Sequence, residues 1–194
     1  MTKIIGLTGG IGSGKTSIAK YFEQKGIPVY IADDRAKMVS SKPEVVKKII
    51  TAFGNEILDN NKYISKEKLS NIVFTDKKKL QLLNSIIHPE VKKDFIEWVK
   101  MQNKPFVIKE AAILFESGSY KDCDLIITIT APIEERIKRV MLRDNISREK
   151  VLDRISNQWS DEERIKKSDF IIENTSLTAA YEQVNKILVS LKNQ

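Results

Sequence analysis

Apolar positions along the chain follow two rhythms that take turns. Short continuous runs read as buried strands: residues 3–8 with Ile4, Ile5 and Leu7, then 28–31, 105–108, 124–130 and 169–172. Between them apolar residues return at three- and four-residue spacing, the mark of helices with one buried face. Ile18, Ala19 and Phe22 form such a face, with Gly26 placed to end it. From 35 to 102 no strand pattern is present. Val45, Ile49 and Phe53 make a stripe that stops at Gly54. Ser65 and Asp76 are placed as N-caps for helices carrying Leu69, Ile72 and Val73, then Leu80, Leu83 and Ile87. Pro89 is expected to open another helix through Val91, Phe95 and Val99. Residues 133–167 read as helical and basic, and Leu177, Tyr181, Val184, Leu188 and Leu191 line a C-terminal helix. Five strands interleaved with helices predict an α/β fold: a doubly wound five-stranded parallel sheet flanked by helices. The sheet core takes 1–34, 103–135 and 166–194. A helical insertion occupies 35–102, and an arginine-rich helical excursion occupies 136–165.

Composition narrows the class. With 194 residues, 41% hydrophobic and 30% charged, the chain is long enough for a substantial core. Its 33 basic and 26 acidic side chains leave a net charge of +7, which suits anionic partners. The excess is scattered lysine, and Lys77–Lys79 reads as a solvated helix start, so no nucleic-acid partner is expected. Cys123 is the single cysteine; that excludes an internal disulfide framework and fits a reducing compartment. No apolar run approaches the roughly 20 residues that span a bilayer. A cytoplasmic protein without a membrane partner is expected.

Glycine carries the chemistry. Five of the eight glycines, Gly6, Gly9, Gly10, Gly12 and Gly14, fall in the opening segment. Gly9-Gly10-Ile11-Gly12-Ser13-Gly14-Lys15-Thr16 fits G-x-x-x-x-G-K-[ST], between a strand and a helix as that motif requires. Such a loop curls with its N–H groups inward, and the following helix aims its dipole and free amides at the same anion. Lys15 is placed to bridge the β- and γ-phosphates, and the Thr16 hydroxyl to ligate Mg²⁺. The motif indicates a P-loop protein that binds a nucleoside triphosphate with magnesium.

Three P-loop classes compete. A GTPase switch needs D-x-x-G and N-K-x-D. No glycine has an aspartate three residues before it, and Asn61-Lys62 and Asn103-Lys104 lack the following aspartate. A nucleic-acid-dependent ATPase is usually larger and carries a Walker-B aspartate; the nearest strand here ends in Glu110. A small-molecule phosphotransferase fits the size, with one excursion to hold the acceptor and one to serve as a lid.

At this level of detail the chain resembles the dephospho-CoA kinases. The similarity runs through the cradle, Ala32-Asp33, His88-Pro89, residues 113–118 (ILFESG), Arg139, Arg143-Asp144, Arg154 with Gln158, and residues 168–174 (SDFIIEN). The resemblance implies ATP-dependent phosphorylation of the ribose 3′-hydroxyl of dephospho-CoA, the last step of coenzyme A synthesis, with 35–102 as the acceptor domain. Three departures stand out. Ile31 replaces an aspartate the family often has, and Glu110, Ala112 and Ile113 stand in for its usual Asp-x-Pro run. Arg164 takes a place usually held by lysine.

Roles follow with alternatives beside them. Asp33 lies past the carboxyl end of the second strand, the edge that faces ligands in open α/β sheets. It is a candidate base for a sugar hydroxyl, or else it or Asp34 caps a helix starting near Arg35. Arg136, Arg139 and Arg143 fall at helical spacing, a lid face for phosphate oxygens or a solvated basic face. The family places the positions of Arg139 and Arg143 in its lid. With Lys15 and Asp33, Arg139 completes the catalytic set. Glu110 is placed to hold a magnesium-bound water or the acceptor hydroxyl, or is a surface charge. His88 and Arg154 are candidate acceptor contacts; Gln158 is carried as a ligand contact. Asn174 is a nucleotide contact near the base, or a cap for the last helix.

Overall fold

The computed structural model describes residues 2–192. The outermost positions of the expected core, Met1, Asn193 and Gln194, lie outside the described residues. The chain divides into two compact units, one of residues 1–31 with 102–194 and one of residues 32–101.

The first unit is a five-stranded parallel sheet in the order β2-β3-β1-β4-β5. Its strands are β1 (Lys3–Gly9), β2 (Val29–Ile31), β3 (Phe106–Glu110), β4 (Leu125–Thr130) and β5 (Phe170–Glu173). β1 is central, with Leu7 in register with Glu110 on one side and Ile127 on the other. Ile5, Leu7, Ile108, Ile127 and Ile129 are buried, as expected for strands covered on both faces. Helix α1 (Lys15–Gln24) buries Ile18, Ala19 and Phe22 against the sheet. It packs beside the C-terminal helix of the unit (Leu177–Lys192), where the Tyr21 and Tyr181 rings stack at 3.9 Å. This order brings the carboxyl ends of β1, β4 and β5 together along one edge, and the glycine-rich segment leaves from the first of them.

The second unit is helical, in chain order α2 (Ala32–Ser40), α3 (Pro43–Phe53), α4 (Lys66–Thr75) and α5 (Lys77–Lys100). An antiparallel bridge joins Leu58 and Ile64. Val39, Val45, Ile49, Phe53, Ile57 and Val73 form its core. The expected caps are made: the Ser65 side chain accepts from the Lys68 amide, and Asp76 from Lys78 and Lys79. Two expectations fail. α2 begins at Ala32 rather than near Arg35, directly after β2, so Asp33 and Asp34 stand inside its first turn. Pro89 does not open a helix either; α5 runs through it. Proline there removes one backbone bond, a cost of about 3 kcal/mol. Packing on both sides offsets that cost: Leu83 and Ile86 before Pro89, and Val91 after it, lean on the Val45–Phe53 core, and Phe95 is buried.

Helices α6 (Ile133–Asp144), α7 (Arg148–Ser156) and α8 (Asp161–Ile165) fill the stretch between β4 and β5, and α9 is Leu177–Lys192. No helix among the described residues is long and apolar enough to cross a membrane.

Candidate active site

The glycine-rich segment closes a tight curl between β1 and α1. Gly12 sits at φ +79, and a Cβ there would lie 2.5 Å from the Arg136 carbonyl oxygen. Gly14, at φ +95, is the N-cap of α1, and a Cβ there would strike the Asn174 side-chain amide. Both positions need a left-handed backbone and a bare α-carbon, so side chains are excluded on both counts. The Lys15 ammonium folds over the curl and donates to the Gly9 carbonyl at 2.7 Å. Thr16 follows in the first turn of α1 and is exposed, while the Ser17 amide of that turn donates to the Gly14 carbonyl at 3.0 Å. Ser13 is buried, and its hydroxyl has no hydrogen-bond partner among the described residues.

The three lid arginines do not share one role. Arg139 is half-buried beside the curl, with Nη1 at 3.5 Å from the Gly12 carbonyl and Nη2 at 3.5 Å from the Asn174 carbonyl. Arg143 is exposed and forms a two-point pair with Asp144, at 2.7 and 3.0 Å. Arg154 meets the same carboxylate at 2.6 Å. Hydrogen bonds from Arg143 and then Arg154 hold the Asp144 carboxyl down at about 2. Arg136 is buried: its Nε donates to the Ile11 carbonyl at 2.9 Å and its Nη1 to Asp161 at 2.8 Å. The reading of Arg136 as part of a phosphate-facing row is therefore corrected; its guanidinium is spent inside the protein.

Asn174 is not a cap for α9. Its amide nitrogen donates to the Thr130 carbonyl at the end of β4, and its side chain donates to Ser13. The first-turn bond of α9 comes instead from Ser176, which accepts from the Ala179 amide. Glu110 is buried at the end of β3, level with Leu7 and Ile31, so it is not a surface charge. The candidates in the second unit are Asp33, in the first turn of α2, and His88, within α5, both exposed. Partial desolvation of its imidazole lowers the His88 pKa below the ordinary 6.5.

Comparison with known proteins fixes the family. The dephospho-CoA kinase family model matches residues 3–179, which includes the curl, both arginine helices and Asn174. The chain belongs to the dephospho-CoA kinase family. A dephospho-CoA kinase from Fusobacterium nucleatum is 47% identical over 173 residues, covering 89% of this chain and 90% of that protein. Among solved structures, a Thermus thermophilus protein superposes with a TM-score of 0.88 at 33% identity, covering 97% of both chains. A dephospho-CoA kinase from Campylobacter jejuni does so with 0.72 at 30% identity, covering both chains fully. The architecture is that of the P-loop kinases.

Within this dephospho-CoA kinase fold, the structure brings Gly9 to Thr16, Arg139 and Asn174 together. It gathers Arg143 and Arg154 instead around Asp144. The sequence reading missed a chain of charges built around two buried arginines, Arg136 and Arg164. Arg164, fully buried, donates to Asp161 at 3.2 Å and to Glu116 at 3.1 Å, and Glu116 also accepts from the Trp159 amide at 2.9 Å. Gln158 completes it, accepting from the Ile11 amide at 2.8 Å. The signal lies in Glu116 of the ILFESG run and in the Arg154–Gln158 spacing, but the first carries only the family resemblance and the second reads as a pair of ligand contacts.

Proposed function

We propose that the protein transfers the γ-phosphoryl group of ATP to the ribose 3′-hydroxyl of dephospho-CoA, giving coenzyme A and ADP. The observation that carries this reading is the curl. A Gly-lined loop runs into the N-terminus of α1, with Lys15 folded across it and Arg139 at its edge, in a chain whose family model spans 3–179. Phosphoryl transfer asks little covalent chemistry of a protein; it asks for alignment and for neutralised charge. Lys15 supplies a point charge to the phosphates, and Arg139 a planar fork for the equatorial oxygens. Arg143 and Asn174 complete the donor contacts. Asp33 stands two residues past β2 in the first turn of α2. It orients the 3′-hydroxyl and accepts its proton, while His88, Glu110 and Arg154 hold the acceptor. In this reading 35–102 is the acceptor domain and 136–165 the lid over the donor.

The residues fit a magnesium ion that arrives with its nucleotide. An exposed Thr16 hydroxyl at the helix start offers one hard oxygen ligand, and among the described residues no group of three His, Cys, Asp or Glu side chains forms a metal cage. Mg²⁺ is bound in just this way in many phosphate sites, through one or two protein oxygens, phosphates and water. When bound, it supplies charge neutralisation at the β- and γ-oxygens. Expected setting and company are those of a cytoplasmic enzyme with small-molecule substrates only.

The test is a coupled ADP-release assay on purified protein with ATP, against dephospho-CoA, nucleoside monophosphates, adenosine and pantetheine. Dephospho-CoA-dependent ADP release with coenzyme A as product supports the proposal. Rapid turnover of a nucleoside monophosphate with dephospho-CoA inert overturns it.

A further inference from the structure

The tip of the curl is held from three directions by parts of the chain that contribute no motif glycine. The Ile11 amide donates to Gln158 Oε1 at 2.8 Å, and the Ile11 carbonyl accepts from Arg136 Nε at 2.9 Å. The Ile11 side chain packs on the small core of Ile137, Val140 and Val151, between α6 and α7. Both holders are themselves braced. Arg136 is tied to Asp161, Asp161 to Arg164, and Arg164 to Glu116. Gln158 lies in the α7–α8 connection, next to Trp159, whose ring stacks on Phe115 at 5.2 Å and whose amide reaches Glu116. The segment 158–161 therefore reaches the loop tip through Gln158 and the ILFESG turn through Trp159.

A glycine-rich loop has many conformations to lose, at roughly 1–2 kcal/mol per residue ordered. Pinning both peptide groups that flank one residue removes much of that freedom before any ligand arrives. It also assigns the amides: Ile11 N–H is committed to Gln158, which leaves the groups nearer α1 to face an anion. We propose that Gln158 and Arg136 are positioning residues, a two-sided clamp on Ile11 that presets the phosphate loop for polyphosphate. The proposal rests on the phosphate-binding reading of the loop given above. Neither side chain touches the reacting atoms, so their loss shows in donor binding rather than in the chemistry of the acceptor.

The test compares wild type with Gln158→Met, which keeps length but loses the acceptor, and Gln158→Glu, which keeps an acceptor oxygen. Arg136→Lys serves as the second side of the clamp. Gln158→Met is expected to speed exchange of the Ile11 amide about tenfold. It should weaken both the ATP KM and calorimetric binding of magnesium tripolyphosphate about five- to tenfold, the worth of one hydrogen bond. KM for dephospho-CoA and thermal stability stay near wild type, and Gln158→Glu restores the Ile11 exchange protection. If Gln158→Met leaves Ile11 exchange and tripolyphosphate binding unchanged while wild type binds normally, the clamp is wrong. It is equally wrong if all variants lose stability while the KM values for both substrates rise in parallel. If wild type binds no tripolyphosphate, the functional reading falls and the clamp falls with it.

Discussion

The side-chain amide of Asn174 donates to the backbone carbonyl of Ser13 at 2.7 Å, although 161 positions of sequence separate them. One residue at the end of β5 thereby holds the back of the phosphate loop, and it is buried. Asn174→Ala leaves that carbonyl unpaired in the interior and is expected to cost about 1–3 kcal/mol in urea unfolding. Asn174→Asp should cost more than alanine, because a carboxylate oxygen then faces the carbonyl and repels it. An aspartate variant as stable as wild type would remove this contact from the account of the loop.

Arg164, fully buried, sits in a run of alternating charge, Glu116–Arg164–Asp161–Arg136, joined by ion pairs of 3.1, 3.2 and 2.8 Å, with Arg164 Nε and one Glu116 oxygen left without a hydrogen-bond partner among the described residues. Removing one charge from such a run strands the others, typically at 3–5 kcal/mol. Arg164→Met is expected to fall near that range. Glu116→Gln keeps the oxygen that accepts from the Trp159 amide and removes only the charge. The double variant should therefore lose about 2 kcal/mol less than the two single losses together. Denaturant unfolding of the three variants measures this coupling; a value under about 0.5 kcal/mol would show that the pair is energetically independent.

These two cases mark where sequence reading succeeds and where it stops. The strands were legible because buried parallel strands are continuous apolar runs, and the caps Ser65 and Asp76 because capping is local. The loop was legible because Gly12 and Gly14 need a backbone that other residues resist. Pro89 misled because a local rule met tertiary packing: α5 keeps its apolar face on both sides of the proline. Arg136 misled for the opposite reason, and the burial of Arg164 went unforeseen with it. Arginine in a helix reads as solvated, and only the fold supplies the carboxylates that let it be buried. Asn174 was readable as a donor contact from its place after the last strand, yet its partner Ser13 was invisible because no local pattern links the two.

Cys123 supplies a prediction about protection. Burial pushes its thiol up to about 11 from the usual 9.0, with Lys109 only partly offsetting that rise. A raised thiol pKa means the folded protein disfavours the thiolate. The resulting contribution to stability is complete below pH 9 and disappears as pH climbs through 11. At pH 8 the thiolate fraction is lower by about two powers of ten than in the unfolded chain, and the thiolate is the reactive form. A chromogenic disulfide reagent should therefore label native protein about a hundredfold more slowly than protein in urea. Equal rates would place the thiol in water.

Asp33 carries the sharpest prediction for the proposed chemistry. A carboxylate that receives a hydroxyl proton during attack contributes about 10²–10⁴ in rate, while one that only shapes a helix start contributes to stability and not to turnover. Asp33→Asn keeps the size and a hydrogen-bonding oxygen but removes the basic group from the first turn of α2. We expect kcat to drop by at least a hundredfold, with the ATP KM within about twofold of wild type and the unfolding midpoint little changed. Neighbouring Asp34, exposed and paired with Lys37 at 2.8 Å, is the matched control: Asp34→Asn removes a charge from the same turn and should leave kcat intact. Steady-state kinetics with dephospho-CoA and ATP on the two variants separates the roles. Comparable turnover in both would assign the first turn of α2 to folding alone and require another base for the 3′-hydroxyl.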